Sequence, residues 1–201
     1  NVAKERKVSP DAVTQMAFHL TFWRLHRTMP STYESFSTQA FYRGRTEVIP
    51  SCSSESADFS STMESDSKGK DTRRAALDLS ASKHVKLVKA ASQGQGVDRH
   101  FLAIKTAVKK SMASGAGGAR LGAEFLNDPL VVETFTWRLS TSNLSLPFLK
   151  SVEFGAVNAN GYGLGYSWHE GKITIHITAF RGVETVGNCW PMKLCGRLER
   201  L

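Results

Sequence analysis

Residues 9–25 leave a helix almost no side to show to water. Val13, Met16, Ala17, Leu20 and Trp23 recur at helical spacing, and Phe18, Phe22 and Leu25 widen the same face. Ser9 stands where an N-cap belongs, Pro10 fits the first helical position, and Asp11 suits the positive end of the helix. Only Gln15, His19 and His26 leave a narrow polar edge. A helix this apolar is covered on most sides, which fits a large parent fold better than a free-standing fragment. The chain also begins at Asn1 rather than Met, in polar helix-leading sequence, and reads as a piece of a longer protein.

The rest of the chain divides by composition. Residues 31–49 are rich in hydroxyls and aromatics and read as mostly irregular, with β-prone patches over 37–49. Residues 51–70 are serine-rich with isolated hydrophobes and read as a flexible loop. A helix is expected from Thr72 to Ser92, with Lys83, Lys86 and Lys89 along one edge that either solvates or meets phosphates. "SQGQG" breaks it. "VDRHFLAIKTAVKKSMAS" follows as a second helix with Phe101, Ile104, Val108 and Met112 on one face. "GAGGARLG" lacks the ending of a P-loop and follows a helix rather than a strand, so it reads as a linker. "VVETFTWRLSTSNL" reads as a strand running into a polar turn. Tyr162, Leu164, Tyr166 and Trp168, then Ile173, Ile175, Ile177 and Ala179, alternate around a turn at Glu170 and Gly171. This is the strongest hairpin signal in the chain. Helices first and paired strands later imply an α/β or α+β architecture.

The net charge of +8 favours an anionic partner or a basic solvated surface. Nucleic-acid binding would rest on that charge alone, because no recognition motif accompanies it. Cys52, Cys189 and Cys195 form no disulfide framework and no zinc spacing, and no apolar run approaches the ~20 residues of a membrane span. None of the six histidines has a partner at helical metal spacing, and no metal site is expected. His100, beside Asp98 and Arg99 at a helix start, belongs to an anion-binding cluster or simply to a capped helix end. His176 alternates with apolar isoleucines and reads as structural. The hydroxyls of "LSTSN" lack a nucleophile elbow; they suit hydrogen bonds to an oxyanion or a turn satisfying its own backbone.

Taken in order, "KVSPDAVTQMAF", "STYESFSTQAFYRGRTE", "GQGVDRHFLAIK", "LSTSN" and "FGAVNANGYGLGYS" resemble the C-terminal part of the carnitine/choline acyltransferase family. The likeness is nearest to its matrix-facing mitochondrial palmitoyl-transferring members. It covers nearly the whole chain, apart from the serine-rich stretch and the last twenty or so residues. The resemblance implies an α/β fold: two related domains of chloramphenicol-acetyltransferase-like topology, a mixed sheet with flanking helices in each. Residues 1–201 would be part of the second domain. It also implies acyl transfer between coenzyme A and carnitine, both as substrates, with no cofactor.

The resemblance further implies roles residue by residue. Lys4 and Asp11 match coenzyme A positions, the lysine near a phosphate. Asn143 matches another, although several relatives carry glutamine there. Tyr33, Ser35 and Thr46 match the carnitine carboxylate site, with Arg99 supplying opposite charge. Ser142 matches the hydroxyl that steadies the oxyanion, Ser140 its companion, and Phe154 an aromatic beside the trimethylammonium. Thr46 and Arg99 favour carnitine over choline, which has no carboxylate. Val152 matches the acyl-pocket gate, and its intermediate size points to medium or long chains. "FGAVNANGYG" lacks two prolines of the family pattern.

The family's catalytic histidine lies in the N-terminal half, in a His-x-x-x-Asp setting. None of the histidines here is followed by Asp at that spacing. The chain is therefore expected to carry binding walls and an oxyanion donor but no general base, and to be inactive without the N-terminal half. The competing expectation is a truncated homologue that binds coenzyme A or another polyanion without catalysis. The resemblance implies the mitochondrial matrix side, with the peroxisome as the other option. The ending "RLERL" is not of the SKL type. A peripheral membrane contact is compatible with this reading; nucleic acid is not expected.

Overall fold

The computed structural model describes residues 7–115, 119–169 and 172–180. Helix α1 spans Pro10–His26, with the Ser9 side chain accepting from the Ala12 amide. Strands β1 (Thr32–Ser37) and β2 (Thr46–Ile49) follow, then α2 (Ser54–Glu64), α3 (Lys70–Ser92), α4 (Asp98–Ser114), α5 (Ala119–Leu126) and α6 (Pro129–Thr134). Strands β3 (Leu139–Asn143), β4 (Tyr162–His169) and β5 (Lys172–Ala179) complete the described elements. The five strands form one mixed sheet in the order β2-β1-β3-β4-β5. The central β1-β3 and β3-β4 pairs are parallel and the outer pairs antiparallel.

Helix α1 lies between two layers, which is why apolar residues surround it. Phe18 and Phe22 pack on Leu139, Tyr162, Leu164 and Tyr166 of the sheet, while Met16 and Leu20 pack on Phe59 of α2. Two of the three residues of the polar edge expected along α1 are buried as well, and His26 is half-buried. Gln15 and His19 are fully enclosed, and Gln15 donates to the Thr141 hydroxyl and the Tyr166 oxygen, both at 3.0 Å.

Four local expectations are corrected. Residues 31–49 are not mostly irregular; β1 and β2 pair antiparallel, from Glu34 opposite Ile49 to Ser37 opposite Thr46. The flexible loop expected over 51–70 contains α2. Ser53 and Ser56 make a reciprocal capping box, Phe59 is fully buried against α1, and Arg24 reaches Glu64 at 2.6 Å. Serines that look like linker composition are here the cap. The expected linker after Gly115 is helical again from Ala119, because Phe125 stacks on Phe101 with centroids 6.1 Å apart. The strand expected from Val131 begins only at Leu139. Before it, Asp128 accepts from the Leu130 and Val131 amides and Pro129 opens α6, so a cap overrides the β-branched residues. The expected hairpin is present, though its turn at Glu170 and Gly171 lies outside the described residues, as do Cys189 and Cys195.

Candidate active site

Strand alternation sorts the sheet into two chemistries. On β1, Thr32 and Glu34 face the helices, and Tyr33 and Ser35 face the other way. Tyr33 lies opposite Ser140 in the parallel β1-β3 register, so Ser140 and Ser142 share that outer face while Thr141 turns back toward Gln15. "LSTSN" is thus a central strand, not a turn: Leu139 to Thr141 pair on both sides, and Ser142 and Asn143 continue the pairing with β4. On β4 the same face carries Gly163 and Gly165. A Cβ at Gly165 would stand 2.1 Å from the Val152 carbonyl oxygen, and one at Gly163 would stand 2.6 Å from Thr178 Oγ1. These glycines let residues 152–156 lie flat on the sheet. Thr178 fixes the segment by donating to the Phe154 carbonyl at 2.8 Å. The result is an open cavity of about 520 Å³.

Arg99, in the first turn of α4, organises one wall of that cavity. Its Nε donates to the Thr46 carbonyl at 2.9 Å, and its Nη2 donates to Thr46 Oγ1 at 2.9 Å and to the Tyr33 hydroxyl at 3.3 Å. Nη1 pairs with Asp98 at 2.9 Å. Burial raises the Asp98 carboxyl above its ordinary pKa, and the Arg99 charge opposes that rise. The direction of these bonds matters. Both hydroxyls accept from Arg99, so the proton of each is left to donate. A cation flanked by two such donors has the chemistry to bind a carboxylate. Ser35 and Ser142 share one hydrogen bond at 3.1 Å. Two hydroxyls in one bond leave a second O–H for a ligand, as an oxyanion donor requires.

A smaller cavity of about 250 Å³ opens at the other side of β1, beside the start of α1. Asp11 lines it and accepts from the Tyr166 hydroxyl at 2.6 Å and from Asn143 Nδ2 at 3.1 Å. Burial, reinforced by the Asp11 charge, holds the Tyr166 hydroxyl well above the ordinary tyrosine range. Beneath it, Glu34 and His84 meet at 2.8 Å with side chains 5% and 1% exposed. Burial raises the Glu34 carboxyl, with His84 opposing. Burial would depress His84, but the hydrogen bond and charge of Glu34 and the charge of Asp11 leave it raised. The pair therefore holds its shared proton more tightly than either group would in water. Close by, burial and the His84 charge lower His19 to about 3. Asp11, Glu34 and His84 bring ligand atoms within 4.8 Å of one another; Glu34 Oε2 and His84 Nε2 share one hydrogen bond, and Asp11 Oδ1 accepts from the Tyr166 hydroxyl.

Of the residues singled out in the sequence, Tyr33, Ser35, Arg99, Ser140, Ser142, Val152 and Phe154 line the larger cavity. Thr46 joins it through Arg99. Asp11 and Asn143 line the smaller one. Lys4 lies outside the described residues. Lys83, one of the expected basic edge, pairs with Glu55 at 3.7 Å, whereas Lys86 and Lys89 are exposed. The sequence reading missed the Glu34-His84 pair and Trp137, which also lines the larger cavity. Trp137 precedes β3, beyond the reach of strand alternation. His84 is 50 residues from Glu34, and no spacing rule connects them. None of the six histidines lines the larger cavity.

The chain is similar to known proteins over most of its length. Residues 1–189 match the family model described as Choline/Carnitine o-acyltransferase. The mitochondrial carnitine O-acetyltransferase of Saccharomyces cerevisiae is 33% identical over 174 residues, covering 87% of this chain and 25% of the yeast protein. Human mitochondrial carnitine O-palmitoyltransferase 2 is 35% identical over 181 residues, covering 89% of this chain and 26% of the human one. Carnitine O-acetyltransferase of Columba livia is 32% identical over 180 residues, covering 90% and 28%. The chain spans about a quarter of the length of these curated relatives.

Proposed function

Since the chain belongs to the choline/carnitine O-acyltransferase family, we propose that it forms the carnitine-binding wall and oxyanion donor of an enzyme that moves a fatty acyl group between coenzyme A and carnitine. The observation that carries this reading is the convergence of Arg99, Tyr33 and Thr46 on one wall of a cavity that also holds the Ser35-Ser142 pair. The carnitine carboxylate takes the free hydroxyl protons of Tyr33 and Thr46 beside the guanidinium. Its hydroxyl is thereby aimed at the thioester carbonyl. When that oxygen attacks, the carbonyl oxygen becomes an oxyanion, and Ser142, steadied by Ser35, donates to it. Collapse of the tetrahedral intermediate breaks the carbon-sulfur bond and releases the coenzyme A thiolate.

The proton leaving the carnitine hydroxyl goes to a base outside these residues, since every histidine here lies off the cavity. The chain is then part of a C-terminal domain, completed by an N-terminal half that brings the base. Asp11 and Asn143, beside the smaller cavity, take the coenzyme A side, and Lys4 serves its phosphate. Val152, of intermediate size at the acyl-pocket gate, leaves room for medium or long chains. The names of the yeast and human relatives support a mitochondrial location.

Calorimetric titration tests the reading. L-carnitine binds the 201-residue chain, choline binds at least about tenfold more weakly, and Arg99→Ala removes that preference. Equal affinity for the two ligands, or no binding of carnitine, overturns it. The purified chain releases no free coenzyme A from palmitoyl-coenzyme A on addition of carnitine. Carnitine-dependent release would mean that the base is present after all.

A further inference from the structure

Residues 152–156 shape the larger cavity through Val152 and Phe154, yet they belong to no helix or strand. Their position therefore depends on what fastens them. Gly163 and Gly165 make room for the segment but offer no side chain to hold it. The holding groups come from β5. Thr178 lies opposite Gly163 and His176 opposite Gly165 in the antiparallel register, so both β5 side chains share the face of the two glycines. Thr178 holds the main chain at the Phe154 carbonyl. His176 holds a side chain: its Nδ1 stands 3.0 Å from Oε1 of Glu153.

Glu153 sits between the two cavity-lining residues, and it does not line the cavity itself. A carboxylate offers only acceptors, so Nδ1 carries the hydrogen and donates. His176 Nε2 is enclosed and has no hydrogen-bond partner among the described residues, which leaves Glu153 to orient the ring. The side chains are 33% and 64% exposed, and a pair this open adds little to global stability. Its effect is local. A segment without ladder hydrogen bonds has few restraints, and one more of them changes how far it moves.

We propose that His176 and Glu153 are positioning residues: the pair pins the segment that carries Val152 and so sharpens discrimination among acyl chain lengths at that gate. This inference rests on the acyl-transfer reading above. It adds to that reading a latch made of two side chains, neither of which touches the substrate.

Two measurements on the full chain test it. Without ligand, Glu153→Ala and His176→Ala should each lower the methyl order parameters of Val152 and leave those of Ile177, on the other face of β5, unchanged. Calorimetric titration then compares the octanoyl and butanoyl esters of L-carnitine. The wild-type chain prefers the octanoyl ester. Each substitution reduces that preference about two- to threefold, the double substitution reduces it no further, and the affinity for L-carnitine itself holds. Exchanging the two residues, Glu153→His with His176→Glu, restores most of the preference. Unchanged Val152 order parameters, a wild type indifferent to chain length, additive losses, or no recovery on exchange overturn the inference while leaving the carnitine site standing. Absence of carnitine binding by the wild type overturns the acyl-transfer reading, and the inference with it.

Discussion

Along β4, Tyr162, Leu164 and Tyr166 fill the space under α1, while Gly163 and Gly165, one step away on the same strand, leave the opposite face bare. On β1 the contrast is between Glu34, buried against His84, and its neighbours Tyr33 and Ser35, which face the cavity. The helical face is closed by large side chains and pairs Glu34 with His84 and Gln15 with Thr141 and Tyr166. The cavity face lies over glycines and serines of the sheet, with the Tyr33 and Thr46 hydroxyls oriented by a single guanidinium. On the function proposed above, one face carries the stability and the other the recognition, so substitutions on the two faces should separate these properties.

The largest effect is expected on the helical face. Phe18→Ala removes a fully buried ring that meets Tyr166 edge-on at 5.4 Å, and should lower the unfolding free energy in urea by about 4 kcal/mol. Carnitine affinity measured where the variant is still folded should hardly change. A large loss of affinity there would break the separation.

Gly165→Ala is the exception that sharpens the contrast. Its Cβ meets the Val152 carbonyl, so either β4 or the segment carrying Val152 and Phe154 must move. Stability should fall by about 3 kcal/mol and carnitine binding should weaken with it. Gly155→Ala, whose Cβ meets nothing within 4 Å, is the control and should be nearly silent in both measurements.

On the cavity face, Arg99→Ala should weaken carnitine binding by about 2 kcal/mol in calorimetry and leave the urea midpoint almost unmoved. Its side chain is 36% exposed, so little packing is lost. Arg99→Lys should restore only part of the affinity, since an ammonium cannot span Tyr33 and Thr46 as the fork does.

The smallest effect is one of pH. The folded pKa of His19, about 3, lies below the ordinary 6.5, so the unfolded chain takes up a proton that the native state refuses. Its share of stability is intact above about pH 6.5 and is lost as pH falls toward 3. The Glu34-His84 pair has the opposite sign: both pKa values are raised, so its share is present at low pH and is lost as pH rises through the folded values. His19→Gln should therefore remove about 1 kcal/mol of the stability lost between pH 7 and pH 5.5 in urea titrations. An unchanged pH slope would show that His19 is not the group responsible.

What could be read from the sequence was local or carried by motif. The cap and apolar run of α1 and the alternation of β4 and β5 specify themselves over a few residues. The hydroxyls of Tyr33, Ser35 and Ser142 and the Arg99 cation were singled out through the family resemblance, although the stretch carrying β1 read as irregular. The serine-rich α2 was not, because its caps have the composition of a linker and its anchor, Phe59, acts only against α1. The helix α6 was hidden for a similar reason: an Asp128-Pro129 start outweighs two valines. Trp137 and His84 act through partners distant in sequence, and only the folded sheet brings those partners together.

The Ser35-Ser142 bond spans 107 residues, and the β1-β3 pairing that creates it is parallel. Such a pairing forms only after the long intervening chain has closed, a step opposed by loop entropy and characteristic of slow folding. The packing of α1, α2 and α3 is far more local. The cavity face thus depends on a non-local pairing, and a ligand that bridges β1 and β3 would act as a clasp on that joint.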